Sequence, residues 1–478
     1  MSSLLDSVVI PVLYLISAVL FIVGLKGLTK VRTAKRGNLI SAVAMLLAVV
    51  TTLLELGLVD YQWIVAGLVV GGLIGAIAAV RVQMTAMPQM VALFNGFGGG
   101  ASALVAGSVL WLAVIERGVS ETPAAVLGTD SAVTAFLSIL VGGVTFSGSL
   151  VAYLKLAGRM SGQPILLPAR HAVNVGFLVG SLALGLYLVL QAADPGTIEI
   201  AALALIAASL VLGVLMVIPI GGADMPVVIS FLNSLSGVAA AMTGFVLANN
   251  VLIISGALVG ASGLILTQIM CVAMNRSLGN VFFSAFGEEV SSGGGEYIGV
   301  RSCGPEEAAM VLESASSVVI VPGYGLAVSQ AQHVARDLAN LVEKNGGRVT
   351  FAIHPVAGRM PGHMNVLLAE ADVAYEKLVE MDQINPEFSH TDAVIVVGAN
   401  DVVNPAAERD PKSPIAGMPI LQVYNAGTVF VIKRSLSPGF AGVKNELFEN
   451  ENTMMIYGDA KKVLQEIVNE LKGLVKAA

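Results

Sequence analysis

Nine long apolar segments fill the first 275 residues of this chain and constrain its fold more than any other feature. A helix that crosses a bilayer needs about 20 mostly apolar residues, because hydrocarbon offers no partners to unpaired backbone groups. We predict nine spanning helices near residues 8–28, 38–57, 63–80, 88–115, 131–154, 172–191, 200–219, 225–247 and 251–273.

Charged residues are distributed unevenly and divide the chain into two parts. The first 280 residues contain 20 charged side chains, and the last 198 contain 39. Only 12% of the whole chain is charged, against about 25% in soluble domains, which excludes an ordinary soluble protein. We predict a transmembrane domain over residues 1–276, a linker over 277–304 and a soluble domain over 305–478.

Composition also excludes several kinds of partner and site. The net charge of −7 is carried by the soluble part, which argues against a nucleic-acid partner. Cys271 and Cys303 are the only cysteines, and the histidines show no ligand spacing. We therefore predict neither a disulfide scaffold nor a metal site.

Basic residues between the predicted spans indicate the orientation in the membrane. Short loops on the cytoplasmic side of a membrane carry an excess of lysine and arginine. Here the basic residues fall on one side, with Arg117 as the exception; they are Lys30, Arg32, Lys35, Arg36, Arg81, Lys155, Arg159, Arg170 and Arg276. The N-terminus is therefore predicted outside, and the soluble domain is predicted in the cytoplasm.

Small and polar residues inside the spans suggest how the membrane domain packs and works. Glycines crowd spans three and four, which favours close helix packing over a role in conduction; they are Gly71, Gly72, Gly75, Gly96, Gly98, Gly99 and Gly100. Buried polar groups are costly in a membrane and mark water or ion paths. Asn95 and Asn233 lie mid-span, and Asp224 precedes span eight as either a helix cap or a functional carboxylate. No complete titratable relay crosses the membrane, so a proton path needs ordered water or a group from a partner.

The last part of the chain alternates strand-like and helical patterns. We predict strands at 317–321, 348–353, 393–397, 420–423 and 428–432, and helices at 305–314, 326–344 and 459–475. This alternation is typical of an α/β domain with a doubly wound, mostly parallel, Rossmann-like sheet. We thus predict a multi-span α-helical domain over residues 1–276, followed by a soluble domain with a nucleotide-binding type of fold.

A glycine-rich turn after the first long strand predicts a dinucleotide site. Gly323, Tyr324 and Gly325 begin a G-x-G-x-x-V sequence that leads into a helix. Glycine lets backbone N–H groups approach a phosphate, and the helix N-terminus favours its charge. A plain tight turn is the alternative.

Residues after two later strands favour NADP over NAD. An NAD site places a carboxylate at the end of the second strand, where this chain has His354-Pro355. Lys433-Arg434-Ser435 instead offers two cations and a hydroxyl, which suit a 2′-phosphate. A solvated basic strand end is the alternative.

Two further loops are suited to wrap a ligand at the carboxyl edge of the sheet. Residues 356–363 include Arg359, which can pair with a pyrophosphate. Residues 398–405 include Asp401, whose carboxylate can couple redox state to protonation or can serve as a turn or helix cap.

Six long motifs resemble those of one known family. They are residues 221–228, 322–332, 354–369, 398–406, 411–419 and 433–435. Together they resemble the β subunit of the proton-translocating NAD(P) transhydrogenase over essentially the full length. The resemblance implies a Re/Si-specific enzyme of the cell inner (plasma) membrane that binds NADP(H). An α subunit, needed for activity, would supply the NAD(H) domain and further helices, in a dimer of the whole complex. Hydride transfer from NADH to NADP⁺ would be coupled to inward proton flow.

The resemblance also implies roles for individual residues. Those implied to contact the nucleotide are Gly323, Tyr324, Gly325, Val356, Ala357, Gly358, Arg359, Met360, Pro361, Gly398, Ala399, Asn400, Asp401, Val402, Gly417, Met418, Lys433, Arg434, Ser435, Asp459 and Ala460. Asp401 would also take part in proton coupling. Phe440 stands where many relatives carry a tyrosine that closes over the cofactor.

Asn95 departs from the family pattern, because many relatives carry a proton-carrying histidine there. Asparagine does not titrate, so we predict that the titratable group of the channel belongs to the companion subunit, with Asn95 and Asn233 orienting water.

The alternative function is a channel or transporter whose Rossmann domain senses nucleotides. A potassium filter requires T-V-G-Y-G at a membrane re-entry, whereas Gly323-Tyr324-Gly325 lies in the soluble part.

Overall fold

A computed structural model describes most of the chain. The described residues are 8–28, 31–56, 62–118, 120–192, 194–222, 224–275, 277–283, 297–360, 362–439 and 441–477. They form two compact units, one of residues 1–220 with 228–266 and one of residues 221–227 with 267–478.

Within the described ranges, nine helices are long and apolar enough to cross a membrane. They are α1 (Ile10–Leu28), α2 (Val31–Leu56), α3 (Gln62–Arg81), α4 (Met87–Leu110), α5 (Thr129–Leu156), α6 (Arg170–Leu190), α7 (Pro195–Val217), α8 (Met225–Val246) and α9 (Asn250–Ala273). A π-helical turn, Trp111–Ile115, extends α4, and a short helix, Pro123–Leu127, precedes α5. The nine predicted spans are confirmed, and the chain is a multi-pass membrane protein.

Helix α5 packs most deeply, because glycine lets its backbone touch that of α4. A Cβ added to Gly142 would lie 2.4 Å from the Gly99 carbonyl oxygen. In the hydrophobic span of α5, 78% of residues are buried. Span three differs, since a Cβ at Gly71, Gly72 or Gly75 would meet no atom of the described residues within 4 Å. The predicted close packing is thus found for span four and is not found for span three.

Lys155, which the sequence assigns to a loop, lies in the last turn of α5 with only 5% of its surface exposed. Its Nζ donates hydrogen bonds to the carbonyls of Ile218 at 2.5 Å and Ile220 at 2.7 Å. These carbonyls follow the end of α7, where the helix dipole favours a cation. Lys155 therefore fixes the chain that leaves α7.

The second unit contains a seven-stranded parallel sheet. Its strands are β1 (Arg301–Ser302), β2 (Ser317–Pro322), β3 (Arg348–Ile353), β4 (Leu378–Glu380), β5 (Ala393–Val397), β6 (Thr428–Lys433) and β7 (Thr453–Tyr457). Their order is β1-β7-β6-β5-β2-β3-β4. Strand β5 is buried along its whole length, as expected where helices cover both faces of a parallel sheet. The predicted Rossmann-like class is confirmed, and β1, β4 and β7 are strands that the sequence did not predict.

The α-helices of this part of the chain lie before, between and after these strands. They are α10 (Leu278–Phe283), α11 (Pro305–Ser314), α12 (Tyr324–Val328), α13 (Gln332–Lys344), α14 (His363–Glu370), α15 (Met381–Ile384), α16 (Ala406–Arg409) and α17 (Ala460–Ala477). Helix α10 and strand β1 both fall within residues 277–304, for which the sequence predicted a linker.

The prediction of one continuous helix over 326–344 is wrong. The Ser329 hydroxyl bonds back to the Gly325 carbonyl at 2.8 Å, and Gln330 takes a left-handed φ of 50°. A hydroxyl that bonds to the preceding turn competes with helix continuation, and a left-handed residue ends it. Helix α12 therefore ends at Val328, and a second helix, α13, begins at Gln332.

The predicted strand at 420–423 is also wrong. Its backbone is paired by a side chain and by a loop instead of by a neighbouring strand. Asn385 Nδ2 donates to the Ile420 carbonyl at 2.9 Å, and Leu421 N donates to the Val402 carbonyl at 2.9 Å. Buried backbone groups need partners of any kind, and these partners replace the ladder of a sheet.

Candidate functional site

The strand order reverses between β2 and β5, and this is where the predicted ligand loops meet. Strands β3 and β4 lie to one side of β2, and β5, β6 and β7 lie to the other. In open α/β sheets, ligands bind outside the carboxyl ends of the strands at such a point. The turn after β2 and the loop after β5 flank it directly.

Three glycines interlock at this point. Gly325 N donates to the Gly398 carbonyl at 3.0 Å. A Cβ on Gly323 would lie 2.4 Å from Ala399 N, and one on Gly398 would lie 2.3 Å from the Gly325 Cα. Gly398 also has a φ of 65°, which L side chains rarely adopt. Two backbones thus cross in contact, and only glycine fits at the crossing.

Tyr324 and Arg359, predicted on separate loops, are brought together. The guanidinium carbon of Arg359 lies 4.2 Å from the centroid of the Tyr324 ring. The His363 ring lies on the same tyrosine, with centroids 6.3 Å apart, and its Nδ1 accepts a hydrogen bond from Arg359 N at 3.1 Å. A cation over an aromatic face is held in place by the ring quadrupole. The two loops therefore form one wall of the site.

His354 ties the loop after β3 to the segment around Met418. It is 1% exposed, its Nε2 lies 2.8 Å from the Pro419 carbonyl, and its Nδ1 accepts from Val356 N at 3.3 Å. Because a carbonyl only accepts, Nε2 carries the proton and the ring is neutral. Burial lowers the pKa of His354 to about 4, although the bond to Pro419 acts in the opposite direction.

This low pKa predicts a pH-dependent stability. A histidine in an unfolded chain has a pKa near 6.5. Between pH 6.5 and 4, His354 is therefore protonated in the unfolded chain and neutral in the folded chain. Lowering the pH from 7 to 5 should reduce the free energy of unfolding by about 2 kcal/mol through this residue. Pulse proteolysis in urea on the solubilised chain measures it. His354→Gln should flatten the pH dependence and the exposed control His390→Gln should not; equal slopes for both variants would contradict the assignment.

The loop after β5 contains the predicted residues Ala399 to Val402. Asp401 Oδ2 accepts a hydrogen bond from Ala441 N at 3.1 Å, and a Cβ on Gly439 would lie 2.4 Å from Asp401 Oδ1. Asn400 Nδ2 is a buried donor with no hydrogen-bond partner among the described residues. This loop therefore presents a carboxylate and an unused amide donor near the carboxyl end of the sheet.

Lys433 is the last residue of β6, which is next to β5, and Arg434 and Ser435 follow it. Lys433 Nζ donates to the Ser437 carbonyl, and the hydroxyls of Ser435 and Ser437 are 2.9 Å apart. Burial lowers the pKa of Lys433, and the carboxylate of Asp401 partly opposes this. Arg434 and Ser435 are exposed. Two cations and two hydroxyls thus gather at one strand end, and Ser437 was not predicted from the sequence.

The remaining predicted contacts lie around the same edge. Gly417 N donates to the Ala407 carbonyl at 2.8 Å, next to Met418, which is 7% exposed. Asp459 follows β7 and caps α17, since its Oδ1 accepts from Lys461 N at 3.1 Å. Ala460 is the first residue of that helix. Pro361 and Phe440 lie outside the described residues.

The predicted polar residues of the membrane domain are distributed over two places. Asn95 is 6% exposed, and its Nδ2 donates to the Ile229 carbonyl of α8 at 3.2 Å. Ile229 lies one helical turn before Asn233, so the two share a face of α8. Asp224 directly precedes α8 and is 9% exposed. Both predicted roles of Asp224, a helix cap and a functional carboxylate, stay predictions.

A hydroxyl cluster that the sequence did not single out joins three of the spans. The hydroxyl oxygens of Ser138 and Thr243 are 2.8 Å apart, and they lie 3.2 and 3.3 Å from the carbonyl oxygen of Ser102, so one hydroxyl can donate to the other, which donates to the carbonyl. All three residues are buried. The only sequence signal was their polarity within apolar helices.

Comparison with known proteins agrees with this architecture. The family model described as NAD(P) transhydrogenase beta subunit matches residues 10–470. A protein from Rhodospirillum rubrum, NAD(P) transhydrogenase subunit beta, is 49% identical over 462 residues, which cover 96% of this chain and 98% of the relative. A protein of the same name from a designated strain of that species gives the same values. These matches confirm the resemblance and support a redox enzyme over a nucleotide-sensing channel. The chain belongs to the NAD(P) transhydrogenase beta subunit family.

Proposed function

We propose that this chain binds NADP(H) at the carboxyl edge of its sheet and receives hydride there from NADH held by a partner α subunit. The observation that carries this proposal is the glycine crossing at the switch point, with Lys433 and Arg434 on a neighbouring strand end. The crossing favours a phosphate-bearing ligand, and the cations favour one with an additional phosphate.

The residues present fit such a nucleotide. The crossing of Gly323 and Gly398 holds the turn after β2 against the loop after β5 at the carboxyl edge of the sheet, where a pyrophosphate would lie. Arg359 lies beside Tyr324, where it can pair with the same group. Asn400 offers a buried donor to the nicotinamide end, whereas Lys433 and Ser435 would hold the 2′-phosphate.

Positioning accounts for the chemistry. NADP(H), when bound, supplies the carbon that accepts or donates the hydride. The chain's own residues orient the ring, exclude water and fix the phosphate ends. Holding two reactants in contact geometry supplies about 7–11 kcal/mol of the barrier in favourable cases. No acid or base in the site has to act on the transferred hydrogen itself.

Proton flow enters through the binding equilibrium. A proton that crosses about 100 mV releases roughly 2.3 kcal/mol, enough to shift an affinity tens-fold. We infer that Asp401 takes part in this coupling, because its carboxylate lies in the loop after β5 and interacts with the ammonium of Lys433. Asp224, Asn95 and Asn233 would belong to the proton path, whose titratable group comes from the companion subunit. Re/Si specificity, inward proton flow and a dimer of the complex belong to the same proposal.

The proposed setting is the inner (plasma) membrane, with the N-terminus outside and the soluble domain in the cytoplasm. The excess of lysine and arginine in the short loops supports this orientation. The domain boundaries at residues 276 and 305 are part of the same proposal.

Asn95 offers a test of the proton path. Asn95→Leu removes a buried amide that donates to α8, so we expect the coupled proton movement to fall about tenfold or more. NADPH binding should stay within about twofold of the parent, because the site lies in the other unit. Internal pH recorded in proteoliposomes measures the effect. Ser108→Leu, on an exposed face of α4, is the control, and unchanged coupling in Asn95→Leu would remove Asn95 from the path.

A cofactor titration tests the binding proposal. The full-length solubilised chain should bind NADPH at least about a hundredfold more tightly than NADH, because two charge-assisted contacts recognise the 2′-phosphate. Nicotinamide fluorescence reports the binding of both reduced nucleotides. Equal affinities would refute the proposed NADP(H) site.

A further inference from the structure

Tyr297 is the first described residue of the soluble part after position 283, and it contacts a segment about 150 residues later. Its hydroxyl accepts a hydrogen bond from Asn445 N at 3.1 Å. Its ring stacks on Phe448, with centroids 5.8 Å apart and an interplanar angle of 29°. One half-buried side chain therefore makes two separate contacts, one polar and one aromatic.

The polar contact leads to the loop after β5. Asn445 is 0% exposed, and its Nδ2 donates to the Asn400 carbonyl at 3.0 Å and to Asn400 Oδ1 at 2.9 Å. Its Oδ1 accepts from Leu447 N at 3.0 Å, so this amide is fully used in holding two segments together. The backbone position of Asn445 thus determines where Asn400, next to Asp401, is placed.

The aromatic contact leads to Lys433, the last residue of β6. Lys433 Nζ lies 5.4 Å from the centroid of the Phe448 ring, and Phe448 is 0% exposed. The Phe448 ring therefore contacts both Tyr297 and Lys433. An aromatic ring attracts a cation over its face, so the orientation of Phe448 influences where the ammonium rests.

Tyr297 is itself held firmly. The next residue, Ile298, donates its backbone N–H to Glu449 Oε1 at 2.6 Å. Lys444 Nζ lies 2.8 Å from the same carboxylate oxygen and 5.1 Å from the centroid of the Tyr297 ring. The start of the soluble domain is thus fastened to residues 444–449 at several points.

We propose that Tyr297 is a positioning residue for the nucleotide site. Its hydroxyl sets the Asn400 loop through Asn445, and its ring sets Lys433 through Phe448. The inference rests on the proposed function, because it assigns the Asn400 loop to the nicotinamide end and Lys433 to the 2′-phosphate. Tyr297 acts through Asn445 and Phe448, neither of which is among the residues assigned to the ligand.

Two substitutions separate the two contacts. Tyr297→Phe removes only the hydroxyl and leaves the Asn445 N–H without its acceptor, while the ring stack remains. We expect kcat for NADP⁺ reduction by NADH to fall about five- to tenfold, with KM for NADP⁺ within about twofold of the parent. Tyr297→Leu removes the stack as well, so KM for NADP⁺ should also rise about tenfold. Both are measured on the full chain assembled with its partner subunit.

Tyr375 supplies the matched control. It is an exposed tyrosine beside β4, at the far edge of the sheet. Tyr375→Phe and Tyr375→Leu should leave kcat and KM within about twofold of the parent. A merely structural role for Tyr297 would lower the amount of folded complex, but kcat and KM per folded complex, counted by bound NADPH, would equal those of the parent.

The possible outcomes are distinct. If both Tyr297 variants keep the parent's kcat and KM per folded complex, or if Tyr297→Phe raises KM as much as it lowers kcat, the positioning role is refuted. If Tyr297→Leu does not fold, the fall in kcat expected for Tyr297→Phe decides the matter alone. A parent complex that transfers no hydride to NADP⁺ would refute the proposed function. An active parent with unaltered variants would refute only the role of Tyr297.

Discussion

Replacing Lys433 and Arg434 together by alanine should weaken NADPH binding by about two to three orders of magnitude. A hydrogen bond to a charged group contributes about 1.5–3 kcal/mol, and each factor of ten in affinity corresponds to about 1.4 kcal/mol. Lys433 ends β6 at the carboxyl edge and Arg434 follows it, and Ser435 and Ser437 complete the cluster. NADH lacks the 2′-phosphate, so its weaker binding should change less than about threefold. Parallel titrations of the two nucleotides measure the difference.

The control removes the same charge elsewhere. Lys344→Ala with Arg348→Ala changes two exposed cations at the opposite, amino edge of the sheet, where β3 begins. This double variant should bind NADPH like the parent, because long-range effects of exposed charges are screened by salt. An equal loss of NADH and NADPH affinity in the Lys433 and Arg434 variant would show that the cluster does not recognise the extra phosphate.

Gly398→Ala should abolish NADPH binding within the measurable range, a loss of more than about a hundredfold. Its Cβ would lie 2.3 Å from the Gly325 Cα. This clash involves a backbone atom, so no side-chain rotation can remove it. The crossing would have to separate, and an overpacked site costs about 1–3 kcal/mol or more in addition to the left-handed backbone penalty. NADPH titration and the unfolding midpoint of the intact chain measure both effects.

Gly346→Ala isolates the backbone penalty. Gly346 has a φ of 93°, and a Cβ there would meet nothing within 4 Å. This variant should lose about 1 kcal/mol of stability and no NADPH affinity. If Gly346→Ala and Gly398→Ala behaved alike, the contact between the two crossing backbones would have no role in the site.

The membrane helices were predictable because the bilayer imposes one length and one composition on every span. Strands β2, β3, β5 and β6 were also predictable, because each contains a continuous run of buried, mostly apolar residues. Strand β1 has two residues and β4 has three, so neither shows a pattern that can be read. The break between α12 and α13 includes a left-handed residue, Gln330. A left-handed position is usually predicted from a glycine, and the chain has glutamine there.

The loops of the site were predictable because parallel strands end at one edge, which brings together residues that follow different strands. Contacts between segments that are far apart in the sequence were not predictable. Tyr297 and Asn445 are separated by 148 positions, and Asn400 and Asn445 by 45. An asparagine that pairs two loops looks like any turn residue in a sequence, since the partner is specified only by the fold.

The link between the nucleotide site and proton movement is tested most directly in proteoliposomes that contain this chain and its α partner. NADP⁺ reduction by NADH and internal pH would be recorded together, with and without an uncoupler. We expect a proton gradient of about 100 mV to accelerate reduction roughly tenfold or more, and the uncoupler to remove that gain. The Lys433 and Arg434 double variant should lose nucleotide reduction and proton movement together. Proton movement that persists in that variant, or reduction that ignores the gradient in the parent, would contradict the proposed coupling.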